Sequence, residues 1–444
     1  MITKTNNKTN RTNKINNKIN NKINRKNINE KKIKKINIQS IQYDQILEYI
    51  NKQGPQEFIE KAINNMNTIE YPYQMIFKND KEVIRYSKKI IQYRPIVEYR
   101  QERYPNLLFK TPITNHTLFT IFLKDSYEYD RMLEYFSEDC VRFCQRYDRE
   151  KNPNQLWQDP QYKQEIIEYI INHQLDWSLH SIKEAHYDLA YNTYHMGCSY
   201  FKITLMLALL RHFQPKRVLD MSAGWGDRLM GCILYGCEYT GFDPSNCMFP
   251  RYNQMIDTFN AADRCRVHHM GFENSPNVLK KRDLYDIVIT GPPFFNLEIY
   301  EKNSPTQSIS TFNTIDQWVV FFLYRSLNIL WKHIKKGGHM VLYINDFNNL
   351  VMKKTYKYCE SVVLYCINYL PNCKYMGIIG QRSSKKSTKP FFVFEKSKAD
   401  PEQMKYRLAD YYPKWGEMVE NNPDILISNK KSKSKKSNKS KRNK

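Results

Sequence analysis

No run of about 18 apolar residues, the length needed to cross a bilayer, occurs in the 444-residue chain. The nearest candidate, Trp318 to Trp331, is short and broken by Arg325, so no membrane span and no membrane partner are expected. The opening MITKTNNKTNRTNK lacks the apolar centre of a secretory signal. None of the ten cysteines stands in a CxxC pair, and Cys140 and Cys144 (CVRFC) have no His/Cys group nearby. A structural zinc is therefore not expected, and no metal site is assigned. The cysteines read as free buried thiols of an intracellular protein, cytoplasmic or nuclear. The His268–His269 pair reads as strand packing. Acidic residues are almost missing at both ends: residues 1–37 hold 12 Lys/Arg against Glu30 alone, and residues 429–444 hold nine against none. Only +4 of the net charge of +24 is left for residues 38–428.

Those two ends are Asn/Lys/Ser/Ile repeats such as NNKINNKIN and KSKSKKSNKSK. Such segments bury too little apolar surface to offset their ordering entropy and read as disordered. They suit a polyanionic partner held through counterion release, or a nuclear localisation signal. The same enrichment also follows from an AT-rich genome. Over the whole chain, 41% hydrophobic and 14% aromatic residues suffice for a core, which excludes a wholly disordered or collagen-like chain.

Glycine is scarce, and its placement marks a boundary. Of 14 glycines, 12 lie between Gly197 and Gly380, five of them within residues 224–241. Residues 38–194 are glycine-poor; ILEYINKQ, EVIRYSKKIIQY, YEYDRMLEYF and QEIIEYIINHQ carry helical periodicity. This predicts a mainly helical N-terminal domain, with LFKTPI and LFTIFL as short strands. By elimination it is the candidate for target recognition. From residue 195 to 396 strands and helices alternate: KRVLDM, CEYTGFDPS, CRVHHMGF, LYDIVITGPPFF and GGHMVLYIND are strands, separated by helices. KYMGIIGQ and PFFVFEK close the region as an antiparallel hairpin. The fold class expected is α/β, a Rossmann-like, mostly parallel sheet covered on both faces. A helical extension (397–428) precedes the basic C-terminal tail.

Two motifs in this region carry chemistry. In DMSAGWGDR (Asp220–Arg228), Gly224 and Gly226 stand where the first strand hands over to a helix, so a ligand can approach the backbone. Asp243 follows Gly224 by 19 residues at the end of the second strand, where nucleoside-binding sheets place a carboxylate for ribose hydroxyls. A glycine turn alone is common in α/β folds; with Asp243 it points to a nucleoside cofactor. The fourth strand exits through Thr290-Gly291-Pro292-Pro293-Phe294-Phe295. Two prolines remove two backbone donors and fix the chain direction, and Phe294 offers a stacking face. The bland alternative is a Gly-Pro-Pro turn ending a strand.

Here the sequence resembles class I S-adenosylmethionine-dependent methyltransferases, the branch that methylates exocyclic amino groups of DNA bases (adenine N6, cytosine N4). The resemblance covers roughly residues 195–396. It implies S-adenosyl-L-methionine as cofactor, with Asp220, Ala223, Gly224 and Gly226 cradling its methionine part and Asp243 its ribose. It further implies Phe272 and Glu273 beside the adenine, Phe201 and Lys202 in an added cofactor-contacting segment, and Thr290 and Gly291 bordering the methyl group. Pro292, Pro293 and Phe294, with Gly291, would hold the target base. The departure is Gly291, which lacks the side-chain acceptor that the family carries as Asp, Asn or Ser. Thr290, Asn296 or another acceptor would have to supply it.

The leading expectation is methylation of nucleic acid, DNA adenine before RNA. Transfer to RNA or a protein side-chain amide, and a degenerate non-catalytic nucleic-acid binder, remain alternatives; a nicotinamide oxidoreductase is the weakest. Arg382, Lys385, Lys386 and Lys389 sit in the closing hairpin, as phosphate contacts or a solvated tip. Residues 296–317 form a polar loop able to close over a substrate. Oligomeric state is not indicated.

Overall fold

The computed structural model describes residues 40–426, apart from 75, 103, 105–108, 114, 125, 147–148, 199, 350–352, 385–386 and 400–405. The two basic tails, and Lys385 and Lys386, lie outside the described residues. The strands are β1 (Ile96–Glu98), β2 (Thr117–Phe122), β3 (Gln145–Arg146), β4 (Arg217–Asp220), β5 (Glu238–Asp243), β6 (Cys265–His269) and β7 (Tyr285–Thr290). They continue as β8 (Glu298–Ile299), β9 (Ile334–Tyr343), β10 (Phe347–Asn349), β11 (Lys354–Tyr356), β12 (Cys373–Ser384) and β13 (Ser387–Lys396).

Nine of them make one sheet in the order β1-β2-β12-β13-β9-β7-β4-β5-β6. β4, β5, β6, β7 and β9 pair in parallel, and β13 runs antiparallel to both β9 and β12. This is the expected α/β class, mostly parallel and closed by an antiparallel hairpin. β4 bonds β5 on one side and β7 on the other. The carboxyl ends of the strands there open onto a crevice, the usual ligand position in such sheets.

Short-range chemistry sets the helices that cover the sheet. The helix Asp227–Tyr235 starts at Gly226 (φ 90°) and stops at Gly236 (φ 89°), both in left-handed backbone that favours glycine. It packs with the helices Ile203–Phe213 and Met248–Thr258 in the apolar layer on one face. The helices Arg325–Lys332 and Cys359–Tyr369 fill the layer on the other face. The histidine pair packs as expected, His268 stacked on Phe242 and His269 on Phe249.

Upstream, the four periodic segments are helical. Pro160–Asn172, for example, is capped by the Asp159 carboxylate accepting from Gln161 N, and it buries Ile166, Ile167, Ile170 and Ile171. It joins Ile46, Phe58, Trp157 and Trp177 in a third core. LFTIFL forms β2, whereas residues 109–113 of LFKTPI form no strand. The main sheet crosses the boundary drawn at 194/195, because β2 pairs with β12 and carries β1 at the edge. Ile96–Glu98 and Thr117–Phe122 thus belong to the main sheet, through a long-range pairing with no local signature.

The cysteines require a correction. Cys140 is bonded to Cys247 and Cys144 to Cys198, with Cα atoms 5.8 and 6.2 Å apart. The partners lie 107 and 54 residues away, so tertiary packing rather than local spacing pairs them. Cys232, Cys237, Cys265, Cys359, Cys366 and Cys373 are free and buried, as expected.

Candidate active site

A cavity of about 440 Å³ lies at the carboxyl ends of β4, β5, β7 and β9. Seven of the sequence-predicted residues line it: Phe201, Gly224, Asp243, Gly291, Pro292, Pro293 and Phe294. The other seven, Lys202, Asp220, Ala223, Gly226, Phe272, Glu273 and Thr290, stand outside its wall.

Asp220 is fully buried at the end of β4 and acts as a strut. Its carboxylate accepts from Arg228 Nε (2.7 Å), Tyr239 OH (2.7 Å), Thr290 Oγ1 (2.6 Å) and Ser222 N (3.1 Å). Thr290 Oγ1 in turn accepts from Met221 N at 3.2 Å. The first glycine turn is therefore tied to the exit of β7 through two buried side chains. Arg228 also donates to Ser222 O and lies 4.9 Å from the Phe201 ring centre.

Asp243, at the end of β5, accepts from Gly224 N (2.9 Å) and Ser245 N (3.0 Å). Burial raises its carboxyl to about 6 despite these donors. Burial likewise raises Asp227, whose Oδ1 accepts from Lys202 N at 2.9 Å. Lys202 adopts φ 88°, strained for a residue with a Cβ. Its ammonium turns away from the cavity, donating to Ser126 Oγ (3.2 Å) near Asp130 Oδ2 (3.8 Å). Phe272 is buried edge-on against Phe242, at 5.1 Å.

From Gly291 to Phe294, at the exit of β7, one carbonyl has no donor among the described residues. Gly291 O accepts from Ser222 Oγ (2.7 Å), Pro293 O from Phe295 N (3.1 Å), and Phe294 O from Leu297 N (2.8 Å). Pro292 O has no donor among the described residues, and Pro293, next in sequence, has no N–H to offer. Phe295 turns the chain at φ 43° and buries its ring against Trp318 and Tyr356. Phe294 stays in the wall, 5.2 Å from Tyr343, which stacks at 4.9 Å on Phe391. A Cβ at Gly291 would lie 3.3 Å from the Tyr343 ring, so the tyrosine occupies the space of a side chain there. Neither Thr290, spent on Asp220, nor Asn296 lines the cavity.

The loop after this turn lies over the cavity. Glu301 accepts from Ser245 Oγ (2.7 Å) and Cys247 N (2.8 Å), Tyr300 packs edge-on to Trp225, and β8 pairs with β3. Through that pairing Arg146 of the N-terminal segment reaches the wall.

Sequence reasoning missed Asp227, Arg228 and Asn345 as lining residues. The first two stand inside DMSAGWGDR, and Asn345 follows the end of β9 by two positions. Lys389 lines the cavity rather than the hairpin tip, 5.8 Å from the Tyr343 ring centre, and burial lowers its ammonium pKa. Arg382 turns elsewhere, donating to Thr388 Oγ1 (2.8 Å) over Phe122. Among the described residues no group of three or more His, Cys, Asp or Glu is placed to hold a metal ion, and no helix is long and apolar enough to cross a membrane.

No family model matches the chain, and no curated protein matches it. Among solved structures it is similar to an rRNA methylase from Streptococcus thermophilus, at 13% identity over 45% of this chain and 100% of that one (TM-score 0.29). It is similar to TrmN from Thermus thermophilus, at 14% over 44% and 48% (TM-score 0.29). A third is the O-methyltransferase of a trans-AT PKS multienzyme of Brevibacillus brevis, in complex with S-adenosyl-L-homocysteine, at 10% over 52% and 87% (TM-score 0.30). The fold class stated above rests on the strand order itself.

Proposed function

We propose that the chain is an S-adenosylmethionine-dependent methyltransferase acting on an exocyclic amino group of nucleic acid, with adenine N6 of DNA foremost. The observation that carries this reading is the open Pro292 carbonyl in a cavity wall shared with Gly224 and Asp243. An aromatic amine is a poor nucleophile because its lone pair is delocalised into the ring. An acceptor on its N–H localises that pair, and a fixed carbonyl does so without reorganisation.

The residues present fit the cofactor. Asp243, ionised at neutral pH and held by two backbone donors, suits ribose hydroxyls, and Gly224, at φ 60°, leaves the turn open to close approach. S-adenosylmethionine, if bound there, would supply a sulfonium methyl to the substrate nitrogen's lone pair, with the C–S pair staying on sulfur and one N–H proton passing to water. Phe294 provides the face on which a flat base stacks. A base in a duplex has to be flipped out to reach this wall.

The test is transfer of tritiated methyl from S-adenosylmethionine to unmethylated DNA, RNA and polypeptide, with S-adenosylhomocysteine binding followed by calorimetry. N6-methyladenine in DNA is the expected product. Incorporation into RNA or polypeptide instead moves the substrate; binding with no incorporation anywhere leaves a non-catalytic domain.

A further inference from the structure

If an amino group is held at Pro292, one of its two N–H bonds still needs an acceptor. Gly291 brings no side chain, Thr290 is spent on Asp220, and Asn296 is outside the cavity. The sheet register points to where the missing group comes from. Thr290 of β7 is level with Leu342 of β9, and Phe391 of β13 is level with Tyr343 of β9. Continuing both registers puts Gly291, Tyr343 and Phe391 in one row across three strands. Two positions further along these three segments stand Pro293, Asn345 and Lys389. All three of these line the cavity, while Ile344, between Tyr343 and Asn345, is fully buried. Asn345 is half-buried, and its amide makes no hydrogen bond to any described residue.

We propose that the Asn345 amide grips the amino-bearing edge of the target base, its Oδ1 accepting the amino proton that Gly291 cannot take and its Nδ2 donating to the neighbouring ring nitrogen. This rests on the methyltransferase reading and deepens it. An amide that accepts from an amino group and donates to the adjacent ring acceptor matches the N6/N7 edge of adenine. Cytosine also sets an acceptor, N3, beside its amino group, but as a smaller ring it presents less surface to Phe294. Pro292 O and Asn345 Oδ1 together then give the amine both acceptors. The side chain that the family resemblance expects on β7 is replaced by one from the adjacent strand, with Tyr343 filling the vacated space. Asn345 touches the reacting amine in this arrangement and is a catalytic residue.

The experiment compares wild type with Asn345→Ala and Asn345→Asp in the full chain, folding being checked by circular dichroism. S-adenosylhomocysteine affinity is expected to stay within about twofold, because the cofactor side of the cavity is untouched. Turnover is expected to fall about 100-fold in Asn345→Ala, as for loss of one preorganised hydrogen-bonding partner. It should fall less in Asn345→Asp, which keeps an acceptor. A second readout does not need turnover: binding, with S-adenosylhomocysteine present, of a single-stranded oligonucleotide carrying one adenine against the same strand carrying purine without the amino group. Wild type is expected to prefer adenine, and Asn345→Ala to keep only the smaller preference that the Pro292 carbonyl supplies. Turnover in Asn345→Ala within threefold of wild type, or an adenine preference that the substitution leaves undiminished or that is absent from wild type, overturns the role. Failure of wild type to bind S-adenosylhomocysteine removes the methyltransferase reading itself, a different result in a different assay.

Discussion

Asp220→Asn tests whether this carboxylate is a strut of the fold rather than a ligand-contacting group. The substitution keeps the shape and removes the charge. Asn Oδ1 can still accept from Thr290 Oγ1 and Ser222 N, which address Asp220 Oδ1. The amide nitrogen, however, faces Arg228 Nε and Tyr239 OH, both of which donate to Oδ2 at 2.7 Å. The tyrosine hydroxyl can rotate and accept; the guanidinium cannot. Arg228, its side chain only 6% exposed, is left as a buried cation with a backbone carbonyl and the Phe201 face. Removing one member of a buried pair costs about 3–5 kcal/mol, a large part of a typical domain stability of about 5–15 kcal/mol. Urea unfolding followed by tryptophan fluorescence reads the loss, and Asp220→Asn/Arg228→Met should recover about 2 kcal/mol or more relative to the sum of the single variants. An Asp220→Asn protein that unfolds at the wild-type midpoint refutes the reasoning, as does strict additivity in the double variant.

Affinity for S-adenosylhomocysteine should decline as pH falls through about 6, because Asp243 is raised from 3.8 to about 6 and only its ionised form accepts both ribose hydroxyls. Below that point the loss approaches tenfold per pH unit, and Asp243→Asn should bind weakly with no such slope; a flat wild-type profile from pH 5 to 8 counts against the assignment. His186 is fully buried between Tyr162 and Tyr71, and burial depresses it to about 3. The unfolded chain therefore binds the extra proton between pH 6.5 and 3, so the stability of the helical segment is complete above pH 6.5 and falls by up to about 5 kcal/mol towards pH 3. His186→Gln should remove most of that slope in acid denaturation. A Cβ at Gly231 would sit 2.4 Å from Met206 Cγ and 2.6 Å from its Cβ, so Gly231→Ala is expected to destabilise by about 1–3 kcal/mol; an unchanged thermal midpoint contradicts the close packing of those helices. Thiol titration of the unreduced, denatured chain should find six groups, rising to ten after reduction; ten at the outset would mean that the two bonds do not form.

Much of this architecture was legible from local chemistry. The alternation of short buried strands with helices, the glycine pair after β4 and the two prolines after β7 each act over a few residues, and each marks the element it predicts. Seven of the fourteen expected site residues reach the cavity because strand ends and glycine turns fix backbone position. The residues that fall outside depend on side-chain direction and competition. Asp220 is drawn inward by Arg228 and Tyr239, and Lys202 is turned away by its strained backbone and by Asp130. Asn345 was illegible because it reaches the same cavity wall as Pro293 through the pairing of β7 with β9, across some fifty intervening residues. The pairing of β2 with β12, the strand β3 and the disulfides were missed for the same reason: each joins segments that are distant in sequence.

These long-range links bear on what the N-terminal segment does. The short stretch bearing Cys140 and Cys144 is tied to both flanks of the cavity. Cys247 neighbours the wall residue Met248, and Cys198 lies two positions before the wall residue Tyr200. Arg251 of the helix Met248–Thr258 pairs with Asp139 at 2.6 Å, and β3 holds the covering loop through β8. The walls flanking Asp243 therefore owe their position to Asp139, Cys140, Cys144 and β3 as well as to the sheet. This segment thus helps to fix the cavity walls, and on the proposed methyltransferase reading a displacement of about 1 Å there would cost about two orders of magnitude in rate.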